Sequence, residues 1–167
     1  MHILIFVTVG SRNYPFDRLF EELDKLYDEG IIKDKIFAQI GTSKYIPKNY
    51  EYKDFIDRDE FINKIKESSF VISHGGSGSI MTALREGKKV IAVTRLEKYG
   101  EHINDHQIQN NEALGDLGYV LPVYDMKDLK DAIIKVQEGT DNLKKWKNEN
   151  PNAIIDMIDE FIQKNWE

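Results

Sequence analysis

The sequence predicts an α/β fold, a parallel β-sheet with helices packed on both of its faces. Two observations carry this. Short apolar, β-branched runs alternate along the chain with segments of helical period, the pattern of right-handed βαβ units. Glycine-bearing turns follow directly after several of those runs, where strands of such a sheet present their carboxyl ends. With 41% hydrophobic and 31% charged residues, a chain of 167 residues suits a single globular domain, 1–167, with a buried core.

Taken in order, residues 3–9 are a buried strand that stops at Gly10-Ser11. Residues 16–27 place apolar side chains at 16, 19, 20, 23, 26 and 27, one face of a helix that Gly30 ends. Residues 36–40 are a second strand, stopped by Gly41, and 52–56 a third. A short helix over 59–66 has a capping box in Asp57 and Glu60 at its entry. The strand 70–73 runs into His74-Gly75-Gly76-Ser77-Gly78-Ser79, and helix resumes over 80–85 until Gly87. Strand 90–93, helix 105–114, strand 119–121 and helix 127–137 continue the alternation. Asn150-Pro151 opens a last helix, 151–165, whose isoleucine-rich face suits core packing or, alternatively, docking of a partner.

Composition narrows the function. There are no cysteines, so disulfides and thiolate metal sites are excluded. A net charge of −6 speaks against a nucleic-acid module, which carries a basic face. The opening residues 1–7 lack the basic leader and cleavage site of a signal peptide, and no window has the ~18 apolar residues of a membrane span. The expectation is a cytoplasmic protein that meets a membrane only through a partner.

The run 74–79 is the most specific feature. Glycines let backbone approach a ligand without a Cβ in between, and the free amides that open a helix attract an anion. The letters reject three other glycine motifs. A nucleophile elbow needs glycine where Ser79 stands; a P-loop needs a closing Gly-Lys-Ser/Thr; a dinucleotide fingerprint belongs to the first βα turn and needs a third glycine where Met81 or Thr82 stands. A diphosphate fits what remains. Arg85, Lys88, Lys89, Arg95 and Lys98 are expected near the same rim, as a solvated face or a phosphate-steering one.

Several stretches, in order, resemble the UDP-sugar-binding domain of family 28 glycosyltransferases: Val7-Thr8-Val9-Gly10-Ser11, Pro15-Phe16-Asp17-Arg18-Leu19, Gln39-Ile40-Gly41, Val71 through Ile80, Ala83-Leu84 with Gly87-Lys88, and Tyr99 through Gln107. The similarity is greatest to short stand-alone subunits. These are the eukaryotic catalytic subunit acting on dolichol-linked sugar and the bacterial galactosyltransferase subunits of capsule and exopolysaccharide synthesis. The resemblance implies a Rossmann-like domain forming one half of a GT-B glycosyltransferase. It implies that His74, Gly75, Gly76, Ser77, Gly78 and Ser79 bind the diphosphate, with Gly10 and Ser11 nearby. Phe55 and Ile56 match the segment that reads uracil, and Asp105, His106 and Gln107 the one that meets the sugar. Thr82 stands where many relatives have a ribose-binding glutamate, and Thr94 where proline is usual.

The implied reaction is an inverting transfer of a hexose, galactose being the expected one, from a UDP-sugar to a lipid-linked saccharide. A membrane-associated subunit is expected to bind the acceptor and to recruit the chain to the inner face of the membrane. Glu101 and His102 are the candidate catalytic residues here, and the partner is the other source of a general base. No metal or other cofactor is expected. Asp57-Arg58-Asp59 has the letters of a metal-binding pair but sits at a helix entry, where capping explains the acids. His102 and His106 are spaced for a metal but lack a third ligand. The rival readings are a non-catalytic UDP-sugar-binding or scaffold subunit, and an N-acetylglucosamine transferase for another lipid-linked acceptor.

Overall fold

The run Leu4–Thr8 forms β1, the centre of the sheet, in a computed structural model that describes residues 4–9, 15–74, 77–94 and 105–145. Parallel pairing joins β1 to β2 (Lys35–Gln39) on one side and to β4 (Ser68–Ser73) on the other. Beyond β2 lies the edge strand β3 (Glu51–Lys53), and beyond β4 lie β5 (Lys89–Val93) and β6 (Val120–Val123). The order β3-β2-β1-β4-β5-β6 means that winding runs outward in opposite directions from β1 and β4. Ligands of such sheets bind outside the carboxyl ends of the strands, where the direction reverses.

Alternation along the strands supplies both faces with apolar side chains. Ile5, Val7, Ile72 and Val93 pack under α1 (Asp17–Asp28) and α5 (Met126–Glu138) with Leu19, Phe20, Leu23, Leu129 and Ile133. Phe6, Val71, Val90 and Ala92 face the other way, against Ile65 of α2 (Arg58–Glu67), Ile80 and Leu84 of α3 (Ser77–Arg85), and Leu114 of α4 (Asp105–Asp116). The expected Rossmann-like sheet, covered on both faces, is the observed one. No helix among the described residues is long and apolar enough to cross a membrane.

The structure differs from expectation at a few ends. The third strand is shorter than 52–56: its ladder stops at Lys53, and Phe55-Ile56 form the turn that leads to the Asp57 cap, where the Asp57 carboxylate accepts from Glu60 N at 2.8 Å. That acid is the helix cap the sequence suggested. The helix after the glycine run begins at Ser77, three residues before the apolar period starts, so Ser77 to Ser79 are its first turn. Arg85, Lys88 and Lys89 do not lie near the rim. They end α3 and start β5, at the opposite end of the sheet, and Lys89 pairs with Asp141 at 2.7 Å. Arg95, Lys98 and the expected helix 151–165 lie outside the described residues.

Candidate functional site

The two central strands end side by side. Thr8 and Ser73 are register partners across β1 and β4, and His74 N donates to the Thr8 carbonyl at 3.1 Å. The chain therefore leaves β1 toward Gly10-Ser11 and β4 toward Gly75-Gly76 from adjacent points at the reversal of winding. Buried hydrogen bonding stiffens this end: Thr8 Oγ1 donates to Gln39 Oε1 at 2.6 Å, and Val9 N donates to the Gln39 carbonyl at 3.3 Å. His74 is 9% exposed, held against the strand ends.

Beyond His74, α3 opens with Ser77, Gly78 and Ser79, and Gly78 is the informative residue. Its φ is not in the left-handed region, and a Cβ built on it would meet nothing within 4 Å. Neither backbone nor packing asks for glycine at a helical position where alanine is the better helix former. What remains is an open approach to the first turn of a helix, where unpaired amides and the helix dipole favour negative charge. Thr82 sits one turn further on and donates its hydroxyl to the Gly78 carbonyl at 2.8 Å, leaving its oxygen lone pairs as acceptors.

Phe55 and Ile56 stand at the same rim, beyond the end of β3. Phe55 is 46% exposed, while Ile56 packs into the core on the α2 face. Asp105, His106 and Gln107 form the start of α4, which begins on the carboxyl side of β5. Gly10, Ser11, Gly75, Gly76, Glu101 and His102 lie outside the described residues.

Several residues frame the site through contacts that the sequence does not reveal. Arg18, in the first turn of α1, reaches across the end of the sheet and donates Nη2 to the Thr94 carbonyl at 2.9 Å, with its guanidinium 5.2 Å from the Phe16 ring centre. Asn111 of α4 donates Nδ2 to the Thr94 hydroxyl, and Thr94 N donates to the Val123 carbonyl at 2.9 Å. Burial, with the negative Glu112 and Asp116 adding to it, raises the Tyr124 hydroxyl to about 12, so it stays protonated at neutral pH. On the outer side of α1 the nearly buried Asp24 accepts from Tyr45 Oη at 2.7 Å, Lys48 N at 2.9 Å and Asn49 N at 3.0 Å. Asp17 accepts from the amides of Lys44 and Tyr45 at 2.6 and 2.7 Å. Together these acids fix the loop that follows Gly41. An acid on the stripe of Phe20, Leu23 and Tyr27 was the available signal for Asp24.

A groove of about 650 Å³ runs beside α1, lined by Glu21, Asp24, Asp28 and Tyr45 among others. Its five acids outnumber the bases Arg18, Lys25 and Lys48, a balance that disfavours a diphosphate.

The pattern of the glycosyltransferase family 28 C-terminal domain matches residues 4–161. A protein described as "UDP-N-acetylglucosamine transferase subunit ALG13" from Homo sapiens is 30% identical over 132 residues, which cover 70% of this chain and 10% of that protein. Its namesake from Debaryomyces hansenii is 33% identical over 120 residues, 70% of this chain and 54% of the relative. The chain thus spans about half, or far less, of the length of these curated relatives. Among solved structures, the NMR solution structure of ALG13 superposes with a TM-score of 0.65 at 20% identity, covering 98% of this chain and 97% of that one. Os79 from O. sativa, solved in complex with UDP, gives a TM-score of 0.61 at 13% identity over 98% of this chain and 36% of its own. At these identities the likeness to solved structures is one of fold, the Rossmann-like half of a GT-B glycosyltransferase.

Proposed function

Since the chain belongs to the glycosyltransferase family 28 C-terminal domain family, we propose that it is the donor-binding, catalytic subunit of a two-component inverting glycosyltransferase. The observation that carries the reading is Gly78, a glycine that the fold does not need, in the first turn of a helix beside the reversal of winding. In this reading the amides of 75–79 grip the diphosphate of a UDP-sugar, with Gly10, Ser11 and His74 at its flank. Thr82 faces the ribose, Phe55-Ile56 the uracil, and Asp105, His106 and Gln107 the sugar.

The chemistry follows from that placement. As the acceptor hydroxyl attacks the anomeric carbon from the side opposite UDP, the bond to the β-phosphate oxygen breaks and the diphosphate gains charge. Preorganised amides at a helix start stabilise that charge as it develops, so the step needs no metal ion. The acceptor's proton passes to Glu101, to His102 or to a base on the acceptor-binding subunit. That subunit is membrane-associated, presents a lipid-linked saccharide and recruits the chain to the cytoplasmic face.

The names of the relatives favour N-acetylglucosamine as the transferred sugar. They lend nothing to the expected galactose or to capsule synthesis. The two donors differ by an acetamide and one hydroxyl configuration, differences that a few polar contacts discriminate. The chain is assayed alone and together with a candidate membrane-associated acceptor-binding subunit, with UDP-N-acetylglucosamine and UDP-galactose in parallel. Transfer by the pair, preferring UDP-N-acetylglucosamine and lost in Gly76→Asp, is expected. Transfer that persists in Gly76→Asp contradicts the reading.

A further inference from the structure

At the carboxyl end of β5, three layers of the molecule are tied to one residue. Thr94 is completely buried. Its N–H donates to Val123 of β6, its carbonyl accepts from Arg18 of α1 on one face, and its hydroxyl accepts from Asn111 of α4 on the other. Arg18 also donates Nη1 to the Tyr124 carbonyl at 3.4 Å.

Asn111 is likewise wholly buried, and its Oδ1 has no hydrogen-bond partner among the described residues. Burying an amide costs free energy that an apolar residue on the same helix face would not incur. The hydrogen bond gives direction in return, because its angle constrains how α4 is rotated and slid along the sheet. Asn111 lies six residues after Asp105, the first of α4, and at 1.5 Å per residue the helix start is ~9 Å away. The diphosphate loop belongs to β4 and α3, and Thr94 and Asn111 belong to neither.

We propose that Thr94 and Asn111 are positioning residues that fix the start of α4, and that through it they govern affinity for the donor sugar without affecting affinity for the nucleotide. This rests on the UDP-sugar reading above. Loss of the tie lets the start of α4 shift while the amides at the start of α3 keep their place.

The test is calorimetry on the full chain with UDP, UDP-N-acetylglucosamine and UDP-galactose. It compares the wild type with Thr94→Val (shape kept, acceptor removed), Asn111→Leu (donor removed) and Thr94→Ser (acceptor kept), each checked by thermal unfolding. In Thr94→Val and Asn111→Leu, the Kd for UDP is expected to stay within about twofold of wild type. The ratio of the Kd for the sugar nucleotide the wild type prefers to that for UDP is expected to rise about tenfold. Thr94→Ser keeps the wild-type ratio. The proposal is overturned if the ratio is unchanged in folded variants, if UDP and sugar nucleotide weaken together, or if Thr94→Ser behaves as Thr94→Val. A variant that fails to fold also counts against it, since its role is then structural. A wild type that binds none of the three removes the donor reading itself. One that binds them, with folded variants unchanged, removes only the positioning role.

Discussion

Gly78 separates folding from function at the scale of one residue. Because the space beside it is open and its backbone is not left-handed, Gly78→Ala leaves the fold intact. It should stabilise α3 by about 0.5 kcal/mol, less than the full interior difference because the residue lies in the first turn. The same methyl occupies the approach to the helix amides, so affinity for UDP should fall by about tenfold or more. Thermal unfolding and calorimetry on one preparation check both halves, and a variant that is more stable with undiminished UDP affinity would take Gly78 out of the site. Asp57 is the opposite case. Its letters allow metal binding, yet its carboxylate accepts from the Glu60 amide, a local role that its position at a helix entry already suggested.

Among the described elements, the alternation of strands and helices was legible because every strand but the exposed edge strand β3 is a short apolar run, and the helices carry apolar positions at helical spacing. Ends were less legible where local chemistry outweighs the pattern. Ser77, Gly78 and Ser79 have poor helix propensity and no apolar period, so the first turn of α3 reads as loop in the sequence. Phe55 and Ile56 continue an apolar strand pattern, but the ladder has already ended at Lys53. The long-range ties of the site were hidden for a different reason: Arg18, Thr94 and Asn111 meet only once three layers are stacked. Asp141 is another such tie, joining the chain after α5 to the first residue of β5. Burial works against its ionised form, but the hydrogen bond from Lys89, that from the Leu143 amide and the positive charge of Lys89 hold the carboxyl below its ordinary range. A depressed carboxyl adds stability above its unfolded value, about 3.9, and loses it as pH falls through the folded value. Asp141→Asn should therefore cost about 1–2 kcal/mol at neutral pH, Lys89 being partly exposed. The difference from wild type should start to narrow below about pH 4 and close once pH falls below the depressed folded value, as urea unfolding across pH will record. A gap independent of pH would assign the effect to packing.

As a whole molecule, the protein carries a net charge of −6, and the proposed function asks it to hold a doubly charged diphosphate locally. Long-range attraction does not draw UDP to such a surface, so the helix start and the glycine turns beside it must supply the affinity at short range. In the proposed function the rim where winding reverses is one wall of a cleft, and ligand sites of this kind are commonly completed at a domain interface. In the proposed complex the second wall is the acceptor-binding subunit. The direct measurement is a titration of UDP into the isotope-labelled chain with a metal chelator present, followed through its backbone amide resonances. Saturable shifts concentrated at residues 74–79 and at Gly10-Ser11 are predicted. No saturable binding, binding that appears only on adding a divalent ion, or shifts confined to the acidic groove beside α1 would contradict a metal-free diphosphate grip at the start of α3.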